Sequence, residues 1–162
     1  ALLHDVGREQ AHAAGADHAV AAAARARQVL EGLSPPRVEA VAHAIVAHRF
    51  RTSPEPSTLE AKVLFDADKL DAIGAVGVAR AFAYGGAHGQ RLWVPMVSVD
   101  LHRWKTEGDD PAMHTPVHEF VVKLSRIKDR LFTPTGQQLA AARHEVMVAF
   151  FERMSQEVQG AA

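Results

Sequence analysis

The sequence contains no cysteine. That absence excludes disulfides, zinc ribbons, iron–sulfur clusters and thiol catalysis together. Long apolar runs are also missing: nothing approaches the roughly 20 residues of a membrane span, and no basic stretch leads into an apolar signal segment. Neither sign of charge is in excess, with 18 Lys plus Arg against 19 Asp plus Glu and a formal net charge of −1. A binder of nucleic-acid polymers by whole-surface attraction is thereby excluded, whereas a local basic pocket for one phosphorylated small molecule is not. What is present is ordinary globular composition, 48% hydrophobic and 23% charged over 162 residues, which suits a single domain and a cytoplasmic location with no membrane attachment. The unusual feature is histidine, at ten residues.

The hydrophobic pattern is helical almost everywhere. Residues 1–7 read as the close of a buried helix, because an apolar Leu2-Leu3 pair at a terminus needs a surface to cover; a preceding segment is therefore expected. Asp17 can cap a helix over residues 18–30, with Val20, Ala24 and Leu30 inward and Gly32 as its stop. Ser34-Pro35-Pro36 opens a second helix at about residues 38–48. Helical period then runs from Leu59 to Tyr84, bending near Gly74 and Gly77 and ending at Gly85-Gly86. Residues 87–115 lack sustained period and are long for a connection, as expected of a lid or insertion loop. Pro116 starts a helix to about Phe132, Thr133-Pro134-Thr135-Gly136 reads as a turn, and the last helix spans residues 137–158 with Leu139, Ala142, Val146, Ala149, Phe150 and Met154 inward. The expected fold class is all-α.

Histidine and aspartate sit together near helix ends. His4-Asp5 offers two adjacent ligands, and Asp66, Asp68 and Asp71 put three carboxylates among Val63, Leu64, Leu70 and Ile73. Carboxylates in apolar surroundings are costly unless paired or bound to metal. Imidazole plus carboxylate without thiolate suits Mn, Fe, Co, Ni, Mg or Zn rather than a soft metal.

Leu2-Leu3-His4-Asp5-Val6-Gly7, followed by Phe65-Asp66-Ala67-Asp68-Lys69-Leu70-Asp71-Ala72, resembles the HD-domain superfamily of metal-dependent phosphohydrolases. Asp17-His18-Ala19, Ala44-Ile45-Val46-Ala47-His48, Ala79-Arg80-Ala81-Phe82-Ala83-Tyr84-Gly85-Gly86 and Thr133-Pro134-Thr135-Gly136 extend the similarity towards its YedJ-like branch. The resemblance covers nearly the whole chain and implies a single HD-type helical bundle, N-terminally incomplete, since the family's first His lies on a helix before the His-Asp pair. It implies that His4, Asp5 and Asp68 are metal ligands. Asp68 is preferred to Asp66 and Asp71 because the family's final Asp directly precedes a pair seen here as Lys69-Leu70. His18 and His48 match positions that complete a second metal site in binuclear members.

The implied chemistry is metal-assisted hydrolysis of a phosphorylated small molecule, in which a divalent cation polarises phosphate and activates water. Asp5, Asp68 and Arg8 would be the catalytic residues, and Arg8, His48, Lys69, Arg49, Arg51 and Lys123 would contact substrate. A nucleotide is the expected partner, and cleavage of a nucleoside triphosphate to monophosphate and pyrophosphate is the specific form that the YedJ-like resemblance suggests. A signalling-nucleotide phosphodiesterase and an inactive HD module that binds a nucleotide or a partner are the alternatives. His43, five before His48 and directed elsewhere on its helix, is expected to be structural, and His12, His88, His102, His114, His118 and His144 have no spacing that compels a role.

Overall fold

The computed structural model describes residues 1–50, 53–96 and 114–161. Among them the regular structure is helical and no strand occurs, so the fold class is all-α as expected. The chain divides into two compact units, residues 1–68 and residues 69–162.

The first unit contains α1 (Arg8–Ala13), α2 (His18–Val29), α3 (Pro35–Ala47) and nearly all of α4 (Leu59–Leu70). Residues 2–7 form turns instead of the expected helix end. Gly7 explains this: at φ 75° it takes the left-handed conformation that ends a turn and redirects the chain into α1. Asp17 caps α2 as expected, its Oδ1 accepting from the Ala19 amide at 2.8 Å. The inward face of α2 differs from the sequence reading. Val20 is 56% exposed, while Ala19, Ala22, Ala23 and Ala26 are buried. Methyl-only side chains let two helices approach closely, and α3 meets this stripe with Ala42 and Ile45. Leu3, Val6 and Val46 cover the edge of the same core. α3 also begins earlier than expected, since Pro35 and Pro36 occupy its first turn, where missing amides cost nothing. In α4, Phe65 is buried and stacks on Phe50 with ring centroids 6.5 Å apart.

The second unit contains α5 (Gly74–Ala87), α6 (Pro116–Val122), a 3-10 helix (Leu124–Arg130) and α7 (Pro134–Val158). Gly85-Gly86 does not end α5, because the left-handed position falls later, at Gly89, with φ 65°. Gly85 instead lies where an added Cβ would stand 3.3 Å from Pro116. The single helix expected from Pro116 to Phe132 breaks at Lys123, whose φ of −136° is not helical. The tighter winding that follows puts Leu124 and Ile127, three residues apart, on one buried side. Thr133-Pro134-Thr135-Gly136 is the capped first turn of α7, with Thr133 Oγ1 accepting from the Gly136 amide at 3.0 Å. The buried stripe of α7 is Gly136, Ala140, Met147 and Phe151, one position away from the expected one, which leaves Leu139, Val146 and Phe150 partly exposed. Phe151 stacks on Phe120 at 4.3 Å and on Phe82 at 6.1 Å. The expected lid at 87–115 falls mostly outside the described residues.

Glu119 on α6 is largely buried and accepts from His114 Nε2 at 3.2 Å and from Lys123 Nζ at 2.5 Å. Burial pushes its carboxyl up, but those two donors more than offset that and hold it at about 2, below its ordinary 4.5.

Two outcomes follow from this packing. Ala42→Leu overfills the α2–α3 seam and should cost about 1–3 kcal/mol in urea unfolding. Glu119 is depressed in the folded state, so its contribution is complete above its ordinary pKa and is lost as pH falls from 4.5 towards 2. Glu119→Gln should lower stability at neutral pH by about 2 kcal/mol. It should also flatten the acid limb of a stability–pH profile across that window.

Candidate metal centre

Four segments of the first unit bring their polar side chains to one place. His4 and Asp5 lie in the turns before α1, and Arg8 is the first residue of that helix. His18 is the first residue of α2, placed there by the Asp17 cap, and His48 is the C-cap residue of α3. Asp68 lies in the last turn of α4. The alanine seam between α2 and α3 therefore positions His18 relative to His48, whose ring centroids are 5.6 Å apart.

Asp5 is the centre of the group. Its Oδ1 stands 3.6 Å from His18 Nε2 and 3.7 Å from His48 Nε2. Its Oδ2 stands 3.8 Å from His4 Nε2 and accepts from Arg8 Nη1 at 2.9 Å. His4 Nε2 is also 3.8 Å from Asp68 Oδ1. Donor atoms of Asp5, His18 and His48 all lie within 4.8 Å of one another. Atoms sharing an ion at bonds of about 2.1 Å stand roughly 3–4 Å apart, so these separations suit ligation. His4, Asp5 and Asp68 thus lie together, with His18 and His48 beside them.

The donor set passes a stricter test of fit. Asp5 Oδ1 is buried and has no hydrogen-bond partner. An ionised carboxylate oxygen withdrawn from water costs free energy unless something positive compensates it, and this one faces two imidazole nitrogens at distances too long for hydrogen bonds. A cation held among these atoms supplies the missing partner.

The far nitrogens of the rings set which near nitrogens can ligate. His4 Nδ1 donates to the Ala1 carbonyl at 2.7 Å. The Nδ1 of buried His48 donates to the Ile45 carbonyl. A carbonyl oxygen only accepts, so in each neutral ring the lone pair lies on Nε2, the atom facing Asp5. His18 differs: its Nδ1 lies 3.1 Å from Arg49 Nη1, which also reaches Asp17 Oδ1 at 3.2 Å.

The charges are mutually adjusted. Partial burial pushes the Asp5 carboxyl up, but the Arg8 hydrogen bond and charge, with His4 and His18, hold it below its ordinary value. Burial, with the Arg49 and Arg8 charges, lowers the His18 pKa against the opposing pull of Asp5. The local charge thus favours an ionised Asp5 and a neutral His18, which is the state that ligation requires.

Lys69 is buried in the last turn of α4, and Lys123 is ion-paired to Glu119; both belong to the second unit. Arg51 lies outside the described residues. Asp66 is only 3% exposed. Asp71 lies just beyond the end of α4 at Leu70 and pairs with Arg80. His43 has the structural role expected of it, accepting from the Ser57 amide at 3.2 Å. Sequence reasoning missed the Asp17–Arg49–His18 chain, although Asp17 and His18 are adjacent and the cap itself was legible. It also missed the His114–Glu119–Lys123 cluster, of which only the four-residue spacing from Glu119 to Lys123 was a usable signal.

Residues 1–73 match the HD domain family. YpgQ of Bacillus subtilis, described as an uncharacterized protein, is 35% identical over 136 residues, covering 82% of this chain. The chain spans 58% of the length of that curated relative. The crystal structure of YpgQ superposes with a TM-score of 0.63 at 28% identity, covering 99% of this chain and 87% of that one. An HD-superfamily hydrolase from Bacillus thuringiensis superposes with a TM-score of 0.64 at 28% identity, covering 98% of this chain and 70% of that one. YpgQ in complex with ADP is also similar, with a TM-score of 0.57 at 28% identity, over 96% of this chain and 82% of that one. With the His-Asp pair, the distant Asp68 and the helices that carry them all inside the matched segment, residues 1–73 are an HD domain, and the chain is similar over nearly its whole length to HD-superfamily hydrolases.

Proposed function

We propose that the chain is a metal-dependent phosphohydrolase whose substrate is a nucleotide, with a nucleoside triphosphate cleaved to monophosphate and pyrophosphate as the specific reaction. The observation that carries this reading is the buried Asp5 Oδ1, without a hydrogen-bond partner and faced by two imidazoles. The ADP complex of the similar YpgQ supports a nucleotide as the phosphate compound.

His4, Asp5 and Asp68 would hold a divalent ion of the Mn, Co, Ni, Fe, Mg or Zn class, with His18 and His48 as the candidates for a second site beside Asp5. When bound, such an ion supplies Lewis acidity at a phosphoryl oxygen and lowers the pKa of water. The chain's own residues do the rest. Arg8 neutralises the outer oxygen of Asp5 and is the nearest fixed cation for a phosphate that gathers negative charge during cleavage. His4 and His48 are oriented by backbone carbonyls, so little reorganisation is needed when the site is used. In the pyrophosphate-releasing reaction, water attacks the α-phosphorus and the bond to the bridging oxygen breaks. Pyrophosphate leaves, and the water's proton passes to solvent. Arg49 and Lys69 remain candidates for the substrate's outer phosphates; Lys123, already bound to Glu119, is the weaker one.

Two measurements test this reading on the purified full-length protein. Mn, Co, Ni or Mg at a hundredfold excess over Kd should raise Tm by about 5–10 °C, and Asp5→Ala, folded by circular dichroism, should lose that rise. Pyrophosphate release from nucleoside triphosphates should fall about a hundredfold or more in Asp68→Ala with the fold retained. Unchanged turnover in that variant would refute the assignment of Asp68.

A further inference from the structure

The end of α4 is held by side chains from later in the chain. α4 stops at Leu70, and its last turn contains Asp68, Lys69 and Leu70. The final carbonyls of a helix have no partner within it, and they form its negative pole. The Ala72 amide donates to the Lys69 carbonyl at 3.1 Å, and the Ile73 amide reaches the Leu70 carbonyl only at 3.4 Å. Arg143 on α7, 73 residues further on, donates from Nη1 to that same Leu70 carbonyl. We propose that Arg143 is a positioning residue for Asp68, fixing the turn of α4 from which that carboxylate faces His4.

The contact is prepared by the backbone beneath it. Arg143 is half-buried, and its stem runs over Gly74, where an added Cβ would stand 3.0 Å from Arg143 Cβ and Cγ. Gly74 also has a φ of 75°, so both the space and the conformation select a residue without a side chain. Three residues on, a Cβ at Gly77 would overlap the Ala72 carbonyl oxygen. Arg80 on α5 donates from Nη1 to the Asp71 carbonyl at 3.2 Å and to the Asp71 carboxylate. Two guanidinium groups therefore hold two successive carbonyls where α4 ends, and a helix C-terminus favours positive charge. Arg143 is the one that acts on the helix itself, since Leu70 is its last residue.

Asp68 is a side chain for which this matters. Its Oδ1 stands 3.8 Å from His4 Nε2, and it lies only two residues before the end of its helix. A ligand has to be kept within about 0.5 Å of its working position, whereas the last turn of a helix opens readily. A guanidinium suits the task of closing that turn, because it stays charged and presents its donors in a rigid plane.

This inference rests on the metal reading of Asp68, but its first test needs no metal. In metal-free Arg143→Ala, amide hydrogen exchange should speed up about tenfold or more at Lys69, Leu70 and Ala72, while Ala22 and Ala23 in α2 keep their wild-type rates. Arg143→Lys, which retains a donor, should recover part of the protection. Calorimetric titration with Mn, Co or Ni should then show affinity about tenfold to a hundredfold weaker in Arg143→Ala. In an Asp68→Ala background the same change should leave the residual affinity unaltered, because the carboxylate that Arg143 positions is gone. Wild-type exchange rates at the end of α4 in Arg143→Ala overturn the inference, and so does an equal loss of affinity in the two backgrounds. Arg143→Gln carries the same comparisons if the alanine variant does not fold. A wild-type protein that takes no metal refutes the metal reading and the role of Asp68 in it, and the exchange rates still decide separately whether Arg143 holds the turn.

Discussion

A carboxylate oxygen taken out of water has to be compensated by something with positive character, and most of the first unit's polar architecture answers to that requirement at Asp5. One of its oxygens is served by Arg8. The other is buried, lacks a hydrogen bond and looks onto His18 and His48. A protein built only for stability has little reason to keep such an atom, because an apolar replacement removes the desolvation cost altogether. The arrangement is understandable as a coordination site, in which a cation provides what neutral imidazoles at 3.6 and 3.7 Å do not.

Holding these groups in register is a packing problem, and α2 and α3 meet it with small side chains. Ala22, Ala23, Ala26 and Ala42 bring two helices together with little side-chain bulk between them, so the first residue of one helix and the cap residue of the other reach the same point. The polar ends of those helices are secured separately, by the Asp17 cap for His18 and by a backbone carbonyl for His48. Apolar burial sets the distance between the helices, and hydrogen bonds set which ring nitrogen is presented.

The parts of this that were legible in the sequence are those marked by chemical contrast. His4, Asp5 and Asp68 stand out because imidazole and carboxylate in apolar surroundings need a reason, and the structure brings them together. The cap at Asp17 was legible for the same reason. Direction was not legible where contrast is absent. In α2 nearly every face carries alanine, so periodicity gives no inward side, and the larger Val20 drew the assignment the wrong way. In α7 the apolar residues come in adjacent pairs, Leu139 with Ala140, Val146 with Met147 and Phe150 with Phe151, so two stripes fit the same pattern. The Arg49–His18 contact joins residues 31 apart and has no sequence signature.

Asp17 Oδ1 is shared between two tasks, since it accepts from the Ala19 amide and from Arg49. The first turn of α2 and the guanidinium therefore draw on a single acceptor. Loss of that turn would take a partner from the Ala19 amide and from Arg49 at once, so the cap that starts α2 also helps to hold a cation beside His18.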